Sequence, residues 1–185
     1  MGNVITVLIT GVGMTSTAFF LGRYLSGDFE LCINVGVCGC FTDRLELGRV
    51  VQIERDCFAD LGAEDDLHFL PGSKLNLPAP FQVTIEKTWE SQFLFGIEKV
   101  VGATVNTAHG NSESILRFMT QSDAEVESME GAAFIWSCNQ FNLPCIQLRA
   151  VSNKIEKRDF SRWKLPLAIE NVNKVLLGLL ETLRK

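Results

Sequence analysis

No apolar run in this 185-residue chain approaches the ~20 residues that a membrane-spanning helix needs. A secretory leader is not visible either. The first basic residue is Arg23, and no small-residue cleavage site follows an apolar stretch. These absences predict a cytoplasmic protein with no membrane partner. Clustered positive charge is missing as well: Lys and Arg number 17 against 22 Asp and Glu, for a net charge of −5. A nucleic-acid footprint needs a basic face, and here the basic residues are scattered. The densest group, residues 154–164, is interrupted by Glu156 and Asp159 and reads as a solvated loop with its own salt bridges. Asp159 is expected to pair with Arg158 or Arg162, or to cap a turn.

Metal-ligand spacing is lacking. Cys38-Gly39-Cys40 is a single Cys-x-Cys with no second pair and no nearby His. Cys32, Cys57, Cys138 and Cys145 sit in apolar runs, where a free thiol behaves as a small hydrophobe. Reduced thiols and no metal site are expected. Nucleotide-cofactor fingerprints are incomplete too. Gly11-Val12-Gly13-Met14-Thr15-Ser16 has Ser16 where a dinucleotide site needs its third glycine, no acid closes the next strand, and no P-loop lysine follows. No cofactor is predicted, although the amides of this turn, Gly13 included, remain open to a small ligand.

What is present is an alternation of strand and helix patterns, which means an α/β layered domain. Strands are expected at residues 4–10, 31–35, 49–55, 99–106 and 145–151. Helices are expected at 15–25, 112–121, 129–141 and 166–183, the last with Pro166 in its first turn and Val172, Val175, Leu176, Leu179 and Leu183 at helical spacing. Gly36-Val37-Cys38-Gly39 is expected to turn after the second strand, and residues 57–81 read as loop. Hydrophobic residues make up 46% of the chain, enough for one core, and the length suits one domain over 1–185.

Two places carry chemistry. Met129-Glu130 heads a helix that continues with Gly131-Ala132-Ala133, small residues that let a neighbour approach the backbone closely. Ser152-Asn153 ends the strand that follows. Ligands of α/β sheets bind at the carboxyl ends of strands, so an acid and an amide converge on a cleft suited to a polar, uncharged ligand. Glu127, at i, i+3 from Glu130, reads as an ordinary helix acid. His109 lies just past a strand end, and with no paired Ser or Cys it makes no hydrolase triad. Trp136 and Trp163 read as packing residues.

These residues, with ITGVGMTSTAF, INVGVCGCF, ERDCFADLGAED, GATVNTAHGN, VESMEGAAF and RAVSNKIEKRD, resemble the nucleoside phosphorylase and nucleosidase superfamily nearly end to end. Within it the ADLGAED run looks most like the futalosine hydrolases of menaquinone biosynthesis. The resemblance implies a three-layer α/β/α fold with a central mixed sheet, a purine nucleoside as ligand, a homodimer or larger homo-oligomer, and N-glycosidic cleavage through an oxocarbenium-like transition state. Glu130 matches the glutamate that binds the ribose hydroxyls and Met129 the methionine packed on the sugar. Asn153 matches the residue at purine N7, which is Asp in methylthioadenosine/adenosylhomocysteine nucleosidases. An amide suits a 6-oxopurine, because its N–H holds O6 while its carbonyl accepts from protonated N7. An amide cannot itself supply that proton.

Val37 stands where phosphorylases typically have a phosphate-holding serine, which favours water as nucleophile. The implied substrate-binding set is Met129, Gly13, Val37, Gly39, Thr107 and Ser152, around catalytic Glu130 and Asn153. The resemblance also sets an expectation at the start of the chain. Family members begin with an extra strand whose end brings a glutamate to the nucleophilic water, and Met1-Gly2-Asn3 offers no acid. The readings left open are futalosine hydrolase, another purine nucleosidase or phosphorylase, and a non-catalytic nucleoside-binding relative.

Overall fold

The computed structural model describes residues 3–66, 68–76 and 78–183. Among these residues eight strands are formed: β1 Cys32–Cys40, β2 Val50–Cys57, β3 Gly62–Asp65, β4 His68–Pro71, β5 Gln82–Thr84, β6 Glu98–Thr104, β7 Val126–Ser128 and β8 Cys145–Lys154. β3 and β4 make a separate antiparallel hairpin within the 57–81 loop. The other six form one mixed sheet in the order β5-β2-β6-β7-β1-β8. β2 has one edge on β6, while its other edge is shared between β8 and β5. Because β8 pairs with both β1 and β2, the sheet curls into a ring.

Among the described residues four helices form, α1 Met14–Tyr24, α2 Ser112–Gln121, α3 Gly131–Gln140 and α4 Leu165–Thr182, of which α3 and α4 pack on the sheet. Two apolar clusters form the layers. Ile146, Leu148 and Ala150 of β8 meet Ala168, Val172 and Leu179 of α4. Cys145 and Val151, of the opposite parity, join Phe134, Ile135 and Cys138 of α3. β8 is thus buried on both faces, and its near-continuous apolar run follows from that. α2 carries no buried residue; Asn111 caps it by accepting from the amides of Glu113 and Ser114 at 2.9 and 3.1 Å. α4 has its proline in the first turn.

Several expectations are corrected. Residues 4–10 form no strand: Val4, Ile5, Val7 and Ile9 are 92, 62, 82 and 86% exposed. An apolar run becomes a strand only with a ladder partner, and residues 4–10 find none: β8 lies along one edge of β1, and on the other edge only Gly39 and Cys40 are paired, with β7. Gly36-Val37-Cys38-Gly39 does not turn but continues β1. Its glycines serve close approach instead. A Cβ on Gly36 would lie 2.0 Å from Arg149 Nη1, and one on Gly39 would lie 2.7 Å from Ile155 Cγ1. β8 runs past Val151 to Lys154, so Ser152 and Asn153 belong to the strand rather than ending it. Glu127 lies on a strand, β7, and not on the helix that follows it. Met1 and Gly2 fall outside the described residues.

Candidate active site

At the carboxyl ends of β1 and β8 lies a cleft of about 240 Å³. Val37, Gly39, Met129, Glu130, Ser152 and Asn153 all line it, together with His109 and Glu127. Two expected contacts differ. Thr107 is exposed and not among the lining residues, and Gly13 acts through Glu130, to whose Oε1 its amide donates at 3.0 Å. Trp163, read from the sequence as a packing residue, borders the cleft, as do Lys154 at the end of β8 and Lys157 and Arg158 beyond it. Asp159 caps a short turn, accepting from the Ser161 amide at 3.0 Å.

The position of Asn153 depends on a bulge. Cys38 pairs with Val151, and the next residue, Gly39, pairs with Asn153, so Ser152 is the extra residue. Without the bulge Ser152 would stand beside Gly39. With it, the Ser152 hydroxyl turns to Cys38 O at 3.1 Å and Asn153 Oδ1 at 2.8 Å. Asn153 Nδ2 donates to Lys154 O at 3.0 Å, which leaves its second N–H for a ligand. On the opposite edge of β1, Gly39 pairs with Glu127. Glu127, Gly39 and Asn153 therefore form one cross-strand row, and the Ile155 side chain lies against the glycine in its middle.

Glu127 is 6% exposed. Its Oε1 accepts from the His109 amide at 3.0 Å and its Oε2 bonds His109 Nδ1. The imidazole joins a cluster of three rings, 4.9 Å from Phe118 and 5.9 Å from Phe41, which are 5.1 Å from each other. Nothing in the sequence spacing reveals this pair, since 18 residues and a helix separate its members; only the parallel pairing of β6 with β7 brings them together.

Beneath Glu130 is a buried polar network that the sequence did not announce. Asp56, 2% exposed, accepts from the Cys57 amide and Thr104 hydroxyl at 2.8 and 2.9 Å and from Gln147 Nε2 at 3.3 Å. Thr104 in turn accepts from the Ala132 amide at 2.7 Å, fixing the first turn of α3. Gly131 is obligatory here, because a Cβ would stand 2.2 Å from Asp56 Oδ2. Burial pushes the Asp56 carboxyl up to about 6, against the pull of these donors.

Arg149 extends the network. Its Nη2 donates to Asn34 Oδ1 at 2.5 Å and Gln147 Oε1 at 3.1 Å, and lies 3.7 Å from Glu130 Oε2. Desolvation lowers its pKa, while the Glu130 charge works in the other direction. Glu130 is thus held at both oxygens, by a backbone amide and by a buried cation, with a carboxylate face toward the cleft. The Cys38 thiol also lines the cleft, but burial pushes it up to about 12, far from a thiolate nucleophile. All six cysteines are free thiols. Among the described residues no three His, Cys, Asp or Glu side chains are grouped to hold a metal ion, and no helix is long and apolar enough to cross a membrane.

A carboxylate and an amide line one strand-end cleft over a curled mixed sheet, an α/β architecture with its polar groups where ligands of such sheets bind. The Phosphorylase superfamily profile matches residues 1–181, and the chain belongs to that family. It is 28% identical over 185 residues to the futalosine hydrolase of Thermus thermophilus, covering 97% of this chain and 82% of that protein. With the futalosine hydrolase of Streptomyces coelicolor it shares 28% over 148 residues, 76% of this chain and 61% of the relative. Among solved structures, the futalosine hydrolase of Helicobacter pylori superposes with a TM-score of 0.76 at 16% identity, over 94% of this chain and 77% of that one. The 5′-methylthioadenosine/S-adenosylhomocysteine nucleosidase of Neisseria meningitidis gives 0.74 at 17%, over 94% and 79%.

Proposed function

We propose that the protein is an N-glycosidic hydrolase that splits futalosine into hypoxanthine and dehypoxanthine futalosine, a step of menaquinone biosynthesis. The observation that carries this reading is that Glu130 and Asn153 line one cleft while Val37, with no hydrogen-bond donor in its side chain, takes the place at the glycine strand. The similarity to two futalosine hydrolases supports it.

As the bond between C1′ and N9 lengthens, positive charge grows on the ribosyl ring. Glu130, anchored by Gly13 and Arg149, accepts from the ribose hydroxyls and stabilises that charge. Met129 packs against the sugar. Asn153, clamped through Ser152 and Lys154 O, offers N–H to O6 and its carbonyl to N7–H. Trp163, Lys157 and Arg158 at the mouth supply a ring and cations for the aromatic tail of futalosine. Water adds to C1′ in place of phosphate.

Base release measured by chromatography from futalosine, inosine and methylthioadenosine, each with and without phosphate, tests this. Hypoxanthine from futalosine at a rate indifferent to phosphate is expected. A phosphate requirement would make the protein a phosphorylase, and faster adenine than hypoxanthine release would make it a methylthioadenosine-type nucleosidase. Nucleoside binding without turnover would make it a non-catalytic relative. The same reading includes a cytoplasmic homodimer in which segment 57–81 reaches the neighbouring site. A monomer by light scattering would remove that part.

A further inference from the structure

The mechanism leaves one buried acid without a role. Asp56 lies beneath Glu130, and neither it nor Thr104, Gln147 or Arg149 lines the cleft. We propose that Asp56 is a positioning residue: as a carboxylate it sets the polarity of two hydrogen-bond chains that hold Glu130 at the ribose. This rests on the nucleosidase reading above.

Both chains can run in one direction only. Arg149 has donors and no acceptor. Its Nη2 gives to Gln147 Oε1 at 3.1 Å and stands 3.7 Å from Glu130 Oε2. The Gln147 amide must therefore turn its oxygen to Arg149 and its Nε2 the other way, where Asp56 Oδ2 accepts at 3.3 Å. The second chain starts from the backbone. The Ala132 amide gives to the Thr104 hydroxyl at 2.7 Å, so the hydroxyl's own hydrogen goes to Asp56 Oδ1 at 2.9 Å. The Cys57 amide is a third donor, at 2.8 Å. Every partner of Asp56 donates, which suits a carboxylate and not a carboxylic acid. One chain reaches the countercharge of Glu130, and the other fixes the first turn of α3, directly after Glu130. All four side chains are buried, so a reversed bond is not made good by bulk water. Room is kept for the carboxyl as well: a Cβ on Gly102 or Gly131 would stand 2.7 or 2.2 Å from Asp56 Oδ2.

Protonation reverses the first chain. A hydrogen on Oδ2 meets Gln147 Nε2, donor against donor. The amide turns over to accept it, and Nε2 then confronts Arg149. Arg149 loses an acceptor and shifts, taking the countercharge of Glu130 with it. Burial favours the neutral acid and puts the Asp56 pKa at about 6, so the working polarity is present above that pH and lost below it. Few charges act on this equilibrium. Arg149 of β8 pulls the pKa down, and Glu130 at the head of α3 faces Arg149. Cys57 of β2 and Cys38 of β1, with thiols pushed up to about 12, stay neutral. β6 and β5 set the uncharged Thr104 and Val83 beside Asp56.

The test reads the pH profile of kcat/KM on two substrates that share the ribose, futalosine and a 4-nitrophenyl riboside. In the parent, kcat/KM should fall as pH drops through about 6. Asp56→Asn turns an N–H toward Gln147 at every pH. It should lower kcat/KM roughly tenfold, equally on both substrates because Glu130 serves the sugar, and abolish the limb near pH 6. Asp56→Asn/Gln147→Glu restores the polarity, since the carboxylate at position 147 accepts from Arg149 and from the new amide. Its kcat/KM per folded molecule should recover over the single variant. The shape of a profile and the ratio of two substrates are unaffected by the fraction of folded protein. A limb retained in Asp56→Asn, a loss confined to futalosine, or a double variant no better than the single would overturn the role of Asp56 while leaving the nucleosidase reading intact. A parent inactive on futalosine would overturn that reading and this inference together.

Discussion

Glu127 and Asn153 pair with the same residue, Gly39, from opposite edges of β1, so a carboxylate and an amide face one another across a glycine. Gly39→Ala places a methyl 2.7 Å from Ile155 Cγ1 and 3.1 Å from Asn153 Nδ2, displacing both. We expect about 1–3 kcal/mol lower stability from overpacking and a raised KM for futalosine. Steady-state kinetics beside a urea melt check this. An unchanged KM would mean that the ligand does not reach this row.

Glu130→Gln keeps an acceptor for the Gly13 amide but removes the charge beside Arg149. Hydrogen bonds to a charged group are worth about 1.5–3 kcal/mol, so kcat/KM should fall by roughly 10–10²-fold with the fold retained. The loss should be as large on the nitrophenyl riboside as on futalosine, because the sugar is common to both. A variant as active as the parent would remove Glu130 from the ribose site.

Asn153→Asp exchanges an amide for an acid that can carry the N7 proton and suits a 6-amino base. The ratio of adenine release from methylthioadenosine to hypoxanthine release from futalosine should rise. The Ser152 hydroxyl can still donate to the carboxylate, as it does to Asn153 Oδ1 at 2.8 Å. An unaltered ratio would show that Asn153 does not touch the base.

Asp56 predicts a pH dependence of stability. Its folded pKa of about 6 lies above the unfolded value of about 3.9. Its contribution is therefore fully present below about pH 4 and lost as pH rises through 6, a change on the order of 3 kcal/mol. Carboxylates held low, such as Asp123 beside Arg55, act in the opposite sense, so the comparison must be with Asp56→Asn. Relative to the parent, this variant should gain stability between pH 4.5 and 7. Parallel stability profiles would mean that Asp56 does not titrate in that range.

Much of this molecule could be read along the chain. The helices α1, α2, α3 and α4 lie within a few residues of their expected spans, because apolar spacing, Asn111 and Pro166 act locally. The strands β2, β6 and β8 were visible as apolar runs. Glu130 and Asn153 were visible as polar residues placed where helix and strand patterns change. Both line the cleft.

Tertiary structure decided the rest, for three physical reasons. Strand formation depends on a partner, so the apolar residues 4–10 remain unpaired while the polar-looking Glu127 enters β7. Register depends on bulges, and the extra residue Ser152 puts Asn153, and not its neighbour, beside Gly39. Burial depends on packing from all sides, which made Asp56 a neutralisable acid and joined His109 to Glu127. The local pattern of residues determined which elements form and which polar groups stand at their ends. Which of those groups meet was decided by long-range pairing, whose partners are distant in sequence and leave no periodic trace.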